Sequence, residues 1–143
     1  MKILILNGPN LNFLGIREPH IYGKETYKDL CNLIFNYATK KQIEVEIYQS
    51  NHEGDLIDKL QEAYFNKIDG IVFNPGAYTH TSIALFDALK SINIPCVEVH
   101  LSNVNQREEF RKINYIKKAC VFSIIGKGFN GYLNAIDYLI EKL

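Results

Sequence analysis

Residues 70 to 103, GIVFNPGAYTHTSIALFDALKSINIPCVEVHLSN, hold the reading that decides the fold. Ile71 to Phe73 and Cys96 to Val99 are short apolar runs rich in β-branched residues, and they read as strands. Between them Ile83, Phe86 and Leu89 recur at helical spacing. Gly70 and Pro95 punctuate the approaches to the two strands. A strand, a helix and a second strand in this order form a crossover unit, because parallel strands cannot be joined by a tight turn and the connection between them is right-handed.

The same alternation extends in both directions. Ile3 to Leu6, Val45 to Tyr48 and Val121 to Ile125 read as three further strands. Helical spacing marks Leu30, Leu33, Ile34 and Tyr37, then Leu56, Ile57, Leu60, Ala63 and Tyr64, and finally Leu133, Ile136, Leu139 and Ile140. Thr26 followed by Asp29 predicts a capping box at the start of the first of these helices. The expected architecture is α/β and flavodoxin-like, a five-stranded parallel sheet with helices on both faces. At 143 residues the chain reads as a single domain over 1–143.

Composition excludes several function classes. Sixteen Lys and Arg balance sixteen Asp and Glu, and there is no basic block, so the electrostatic footprint of a nucleic-acid binder is missing. No apolar run approaches the ~18 residues of a membrane span, and the N-terminus turns polar after Leu6, too early for a signal peptide. Cys31, Cys96 and Cys120 are odd in number and show no CxxC spacing, which points to a reducing compartment and a cytoplasmic location.

In open parallel sheets ligands bind beyond the carboxyl ends of the strands, so the loops there carry the functional reading. The first, NGPNLNFLGIREPHIYG at 7 to 23, is far longer than the ~2 to 6 residues usual for such a loop and suggests a lid. QSNHEG, NPGAYTHTS, EVHLSN and GKGFNG follow the other strands. Any one of these is ordinary turn chemistry, but their coincidence at one rim indicates a site.

GKGFNG matches G-x-G-x-x-G, yet only twelve residues follow Gly131, too few for the strand that carries the acidic ribose partner ~20 residues on. These glycines are better read as a tight turn and close helix–strand packing. Asn74 stands where a receiver domain has its phosphoacceptor carboxylate. Glu98 and His100 share a strand face, and with His80 they could be metal ligands. A carboxylate orienting a catalytic imidazole is the better reading, with no metal. Arg17 lies near Tyr22 in the first loop, where a guanidinium would favour a phenolate base. His20 and His52 read as solvated loop histidines, and Arg111 is open between ligand binding and a solvated helix face.

The blocks NGPNLNFLGIREPHIYG, QSNHEG, NPGAYTHTSIALFDAL and EVHLSNVNQREEFR closely resemble the type II 3-dehydroquinate dehydratases, and GKGFNGYLNAI fits the last turn of that family. The resemblance implies a cofactor-free and metal-free anti elimination of water from 3-dehydroquinate, giving 3-dehydroshikimate through an enolate in the shikimate pathway. It implies that Tyr22, activated by Arg17, is the base, that Asn10 stabilises the enolate, and that His100, oriented by Glu98, protonates the departing hydroxyl. Asn74, His80 and Arg111 would bind hydroxyls, and the Leu101 and Ser102 backbone with the Ser102 hydroxyl would hold the carboxylate. Asp87 would reach a neighbouring subunit's site in a homododecamer built of trimers.

Two departures stand out: Phe86 replaces a common Arg before Asp87, and RKINYI replaces the pattern R-H-x-S-Y-I after Arg111. Neither is expected to touch the acid or base. Two competing readings follow from the residues alone. One is a non-catalytic flavodoxin-like module binding a small polyhydroxy carboxylate, and the other is a nucleotide-dependent oxidoreductase using GKGFNG.

Overall fold

A computed structural model describes all 143 residues apart from the side chain of Tyr22. Five strands form one sheet: β1 (Lys2–Asn7), β2 (Glu44–Gln49), β3 (Gly70–Asn74), β4 (Cys96–His100) and β5 (Phe122–Ile125). Their order is β2-β1-β3-β4-β5, and every pairing is parallel. The helices are a short α1 (Pro19–Tyr22) inside the first loop, then α2 (Tyr27–Lys41), α3 (Glu53–Phe65), α4 (Ile83–Ile92) and α5 (Asn130–Lys142). The expected fold class is observed, and Val121 is already outside β5, although its N–H bonds to the Cys96 carbonyl.

Period two in the strands divides the interior into two cores. Ile3, Ile5, Val72, Val97 and Val99 pack with α2 and α5 through Leu30, Ile34, Ala135, Ile136 and Leu139. Leu4, Leu6, Ile71, Phe73 and Cys96 pack with α3 and α4 through Leu56, Leu60, Leu85 and Leu89. All five residues of β3 and of β4 are buried, which is why β3 reads as a continuous apolar run, while β4 places Glu98 and His100 in the interior on one face. Each such Leu or Ile removed from water contributes about 1.5–3 kcal/mol.

Local signals set the helix ends. The Thr26 side chain accepts from the Asp29 N–H while the Asp29 carboxylate accepts from the Thr26 N–H, so the predicted capping box is present. Ser82 caps α4 by accepting from the Leu85 N–H. Asn93 takes the left-handed conformation (φ 55°) that ends α4, two residues before Pro95.

The helix faces are where the structure corrects the periodic reading. In α4 the buried residues are Leu85, Ala88, Leu89 and Ile92, whereas Ile83 is largely exposed. Seven of the ten positions of IALFDALKSI are apolar, so two overlapping stripes fit and only the packing against α3 selects one. In α5 the stripe is centred on Tyr132, Ala135, Ile136 and Leu139 instead of Leu133 and Ile140. Tyr64 at the end of α3 is exposed.

The strand order places β1 and β3 side by side at the centre, with Asn7 paired in register to Asn74 at their carboxyl ends. From this point the chain winds one way to β2 and the other way to β4 and β5. A crevice opens at such a switch point, and it locates the site.

Candidate active site

The loops after β1, β3 and β4 enclose one cavity at that crevice. Of the residues singled out from sequence, Asn10, Arg17, Asn74, His80, His100, Leu101, Ser102 and Arg111 line it. Glu98 stands behind His100, fully buried. Asp87 is exposed on α4 and does not line the cavity of its own chain. The side chain of Tyr22 lies outside the described residues; its backbone ends α1, five residues beyond Arg17.

Backbone contacts hold the first loop in place. The Gly8 N–H donates to the Asn74 carbonyl at 2.8 Å, and a Cβ on Gly8 would fall 2.4 Å from the Pro75 carbonyl oxygen, so only glycine lets these two loops meet. Asn10, in the left-handed region at φ 69°, donates its N–H to Asn51 Oδ1 at 3.0 Å. Gln49 Nε2 donates to the Gly8 carbonyl and to Asn51 Oδ1, both at 3.1 Å. QSNHEG is therefore a clamp on the first loop and no part of the cavity wall. Leu11 and Leu14 are buried beneath it, while Ile16 is exposed, so the segment available to act as a lid begins after Leu14.

His100 and Glu98 are two apart on β4 and face the same side. His100 Nε2–H donates to Glu98 Oε2 at 2.7 Å. The carboxylate also accepts from Asn114 Nδ2 and from the Ser123 hydroxyl, each at 2.7 Å. Burial pushes the Glu98 carboxyl up, but the hydrogen bond and charge of His100, together with Ser123 and Asn114, outweigh it and hold the carboxyl below its ordinary range. With three donors on two oxygens, Glu98 has little left for a metal ion. Among the described residues no group of three or more His, Cys, Asp or Glu is gathered as a cation would require.

The RKINYI departure reaches the Glu98–His100 pair from behind: Asn114 bonds the Glu98 carboxylate without touching His100 itself, and its Oδ1 also accepts from the Ile116 and Lys117 N–H groups. Three residues before and after on the same strap, Arg111 lines the cavity and Lys117 closes the turn. His80 Nδ1–H donates to the Ile113 carbonyl at 2.6 Å, which leaves Nε2 as the acceptor of the neutral ring. Burial lowers the His80 imidazole below its usual value, the Ile113 carbonyl opposes this, and nearby His100 and Arg111 add to the lowering.

Charge is concentrated in a way that the balanced composition hides. Arg17, Arg107 and Arg111 line one cavity together with two histidines. Glu108 beside Arg111 and Glu18 at 3.8 Å from Arg107 offset part of that charge from outside the wall. The field favours a small anion such as a carboxylate. Sequence reasoning missed Arg107, Asn114, Ser123 and the clamp residues Gln49 and Asn51. Arg107 could have been found in the block EVHLSNVNQREEFR, whereas the others are defined only by contacts across the fold.

The last turn behaves as read. Gly126 and Gly128 have φ of 75° and 58°, and a Cβ on Gly131 would lie 3.4 Å from both Ile124 and Val99 side-chain atoms, so the glycines serve the turn and the seating of α5.

A doubly wound parallel sheet with an oriented imidazole and a cavity lined by three arginines at its switch point defines an α/β enzyme acting on a small polar anion. The chain belongs to the dehydroquinase class II family, whose model matches residues 1–140. It is 60% identical over 143 residues to the 3-dehydroquinate dehydratase of Clostridium acetobutylicum, covering 100% of this chain and 99% of that protein. It is 53% identical over 143 residues to the enzyme of the same name from Fusobacterium nucleatum, covering 99% and 97%. The crystal structure of type II dehydroquinase from Butyrivibrio crossotus superimposes with a TM-score of 0.97 at 62% identity, covering 98% of this chain and 97% of that one.

Proposed function

We propose that this chain is a hydro-lyase that removes water from 3-dehydroquinate to give 3-dehydroshikimate, a step of the shikimate pathway. The observation that carries the reading is the buried Glu98–His100 pair facing a cavity lined by Asn10, Arg17 and Arg111, within a chain whose whole length matches dehydratases of this name. The elimination breaks a C–H bond alpha to the ketone and a C–O bond beta to it, on opposite faces of the ring. Tyr22, made more acidic by Arg17, takes the proton. Asn10 supports the charge that develops on the enolate oxygen. His100, held by Glu98, gives its proton to the leaving hydroxyl, so that water departs and the conjugated enone forms.

Asn74, His80 and Arg111 are assigned to the substrate hydroxyls, with His80 Nε2 accepting from one of them. Leu101 and Ser102 are assigned to the carboxylate. The segment after Leu14 closes over the ligand and excludes water. Asp87, on the outer side of α4, is assigned to the site of an adjacent subunit in a cytoplasmic homododecamer of trimers. No helix here is long and apolar enough to cross a membrane. Light scattering tests the assembly, which requires a mass of about twelve 16.4 kDa chains.

The direct test of function is ultraviolet absorbance of the purified protein with 3-dehydroquinate, chelator present and no cofactor added. The enone absorbance should rise, and Tyr22→Phe and His100→Ala should abolish it. A folded, assembled sample that binds 3-dehydroquinate without forming the enone would leave a binding module as the better account.

A further inference from the structure

A chain of buried hydrogen bonds runs from the cavity wall into the interior. Asn74 lines the cavity and is 4% exposed. Its Nδ2 donates to the Tyr132 hydroxyl at 3.0 Å, and its Oδ1 accepts from the Gly76 N–H at 3.1 Å. The Tyr132 hydroxyl donates to Asn7 Oδ1 at 2.6 Å, and Asn7 Nδ2 donates to the Tyr27 hydroxyl at 3.2 Å. Tyr132 and Asn7 are both fully buried.

Donors and acceptors along this chain run in one direction. A phenol has a single proton. Asn7 turns its NH2 to Tyr27, so its oxygen meets Tyr132 and takes that proton. Tyr132 can then only accept from Asn74, and only the NH2 end of the Asn74 amide can supply the donor. Gly76 secures the opposite end. Burial raises the Tyr132 phenol far above its ordinary value, so the proton stays in place across the working pH range. A side chain needed on α5 for packing alone would be served by Phe, which has no hydroxyl to desolvate.

We propose that Tyr132 is a positioning residue for the substrate: its hydroxyl, polarised by Asn7, holds the Asn74 amide in one orientation, with one Nδ2 hydrogen and one Oδ1 lone pair left for a substrate hydroxyl. The proposal rests on the reading that Asn74 binds such a hydroxyl. Tyr132 touches no substrate. Its effect belongs to binding, which the ground state and transition state share, so it is read in KM more than in kcat.

The test is a double-mutant cycle on the full chain, with steady-state turnover of 3-dehydroquinate. Tyr132→Phe should raise KM about 5- to 10-fold, the worth of one well-placed neutral hydrogen bond, with kcat within about threefold. In an Asn74→Ala background the same substitution should change KM less than about twofold, because the group it orients is gone. Equal shifts in both backgrounds, or a fall in kcat with KM unchanged, overturn the proposal. Asn74→Ala with unaltered KM would instead refute the assignment of Asn74 itself. Tyr27→Phe, which leaves Tyr132 and its two partners intact, should move KM less than about twofold. Should Tyr132→Phe not fold, Asn7→Ala serves in its place. It frees the phenol proton to turn toward Asn74, and it should raise KM only while Asn74 is present; equal shifts again overturn the proposal.

Discussion

Replacing Glu98 by Gln separates the charge of the Glu98–His100 pair from its geometry. The carboxylate accepts from His100 and Asn114 on Oε2 and from Ser123 on Oε1. In Glu98→Gln, an amide with its oxygen toward His100 and Asn114 keeps both of those bonds, and its NH2 can donate to Ser123, whose hydroxyl rotates to accept. The packing is retained and the negative charge is lost. A hydrogen bond to an ionised partner is worth about 1.5–3 kcal/mol, and no solvent screens this one because Glu98 is 0% exposed. Applied to stabilising the proton that His100 delivers, that energy corresponds to a fall in kcat of about 10- to 150-fold. Thermal unfolding should shift by only about 3 °C or less, since a kcal/mol moves a domain of this size by about 2–4 °C.

Glu98→Ala should lose activity and also about 3 kcal/mol or more of stability, because three donors are left without their acceptor. The folded Glu98 carboxyl lies below its unfolded value, so its contribution to stability is present above pH ~4.3 and is lost as pH falls through the lowered folded value. The stability difference between wild type and Glu98→Gln should move in favour of the Gln variant over that acid range. Enone absorbance gives kcat, and scanning calorimetry gives the transition. If kcat of Glu98→Gln stays within about twofold of wild type at an unchanged transition temperature, the charge has no part in His100's work and the reasoning fails.

Other tests address separate parts of the site. Arg17→Ala should lower kcat much more than it weakens binding of 3-dehydroshikimate; equal effects would assign Arg17 to uniform binding. Gly8→Ala should destabilise the chain by about 2 kcal/mol or more in urea unfolding and depress turnover, since a Cβ 2.4 Å from the Pro75 carbonyl must push two loops of the cavity apart. His80 is lowered in the folded protein, so its protonation opposes folding, and stability should decline as pH falls below about 6.5 toward the lowered value. His80→Asn should flatten that decline in calorimetric scans from about pH 7 downward, and an unaltered slope would exclude His80 as its source.

The sequence alone determined the parts of this protein that local patterns encode. Apolar runs with period two, helical spacings and the Thr26, Asp29, Gly70 and Pro95 signals lie within a few residues of what they control, so the five strands, the alternation and the capping box were legible. The motifs after the strands were legible for the same reason: the parallel sheet brings every strand's carboxyl end to one edge, so the alternation itself implies that Asn10, Asn74 and His100 share a rim. The Glu98–His100 pair needed only the strand period.

What the tertiary structure decided depends on contacts between distant segments. The buried face of α4 was open because Ile83 and Phe86 compete with Leu85, Ala88 and Ile92, with Leu89 common to both stripes, and packing against α3 and the sheet makes the choice. Gln49 and Asn51 look like turn residues until the first loop is seen resting on them. Asn114 meets Glu98 across sixteen residues and Tyr132 meets Asn7 across 125, and no periodicity reaches that far. Three arginines in a chain of zero net charge become one cationic cavity only when the loops converge. A side chain's own neighbours in sequence set its conformation and its face, while its partner in the fold is set by which faces can close together at native packing density.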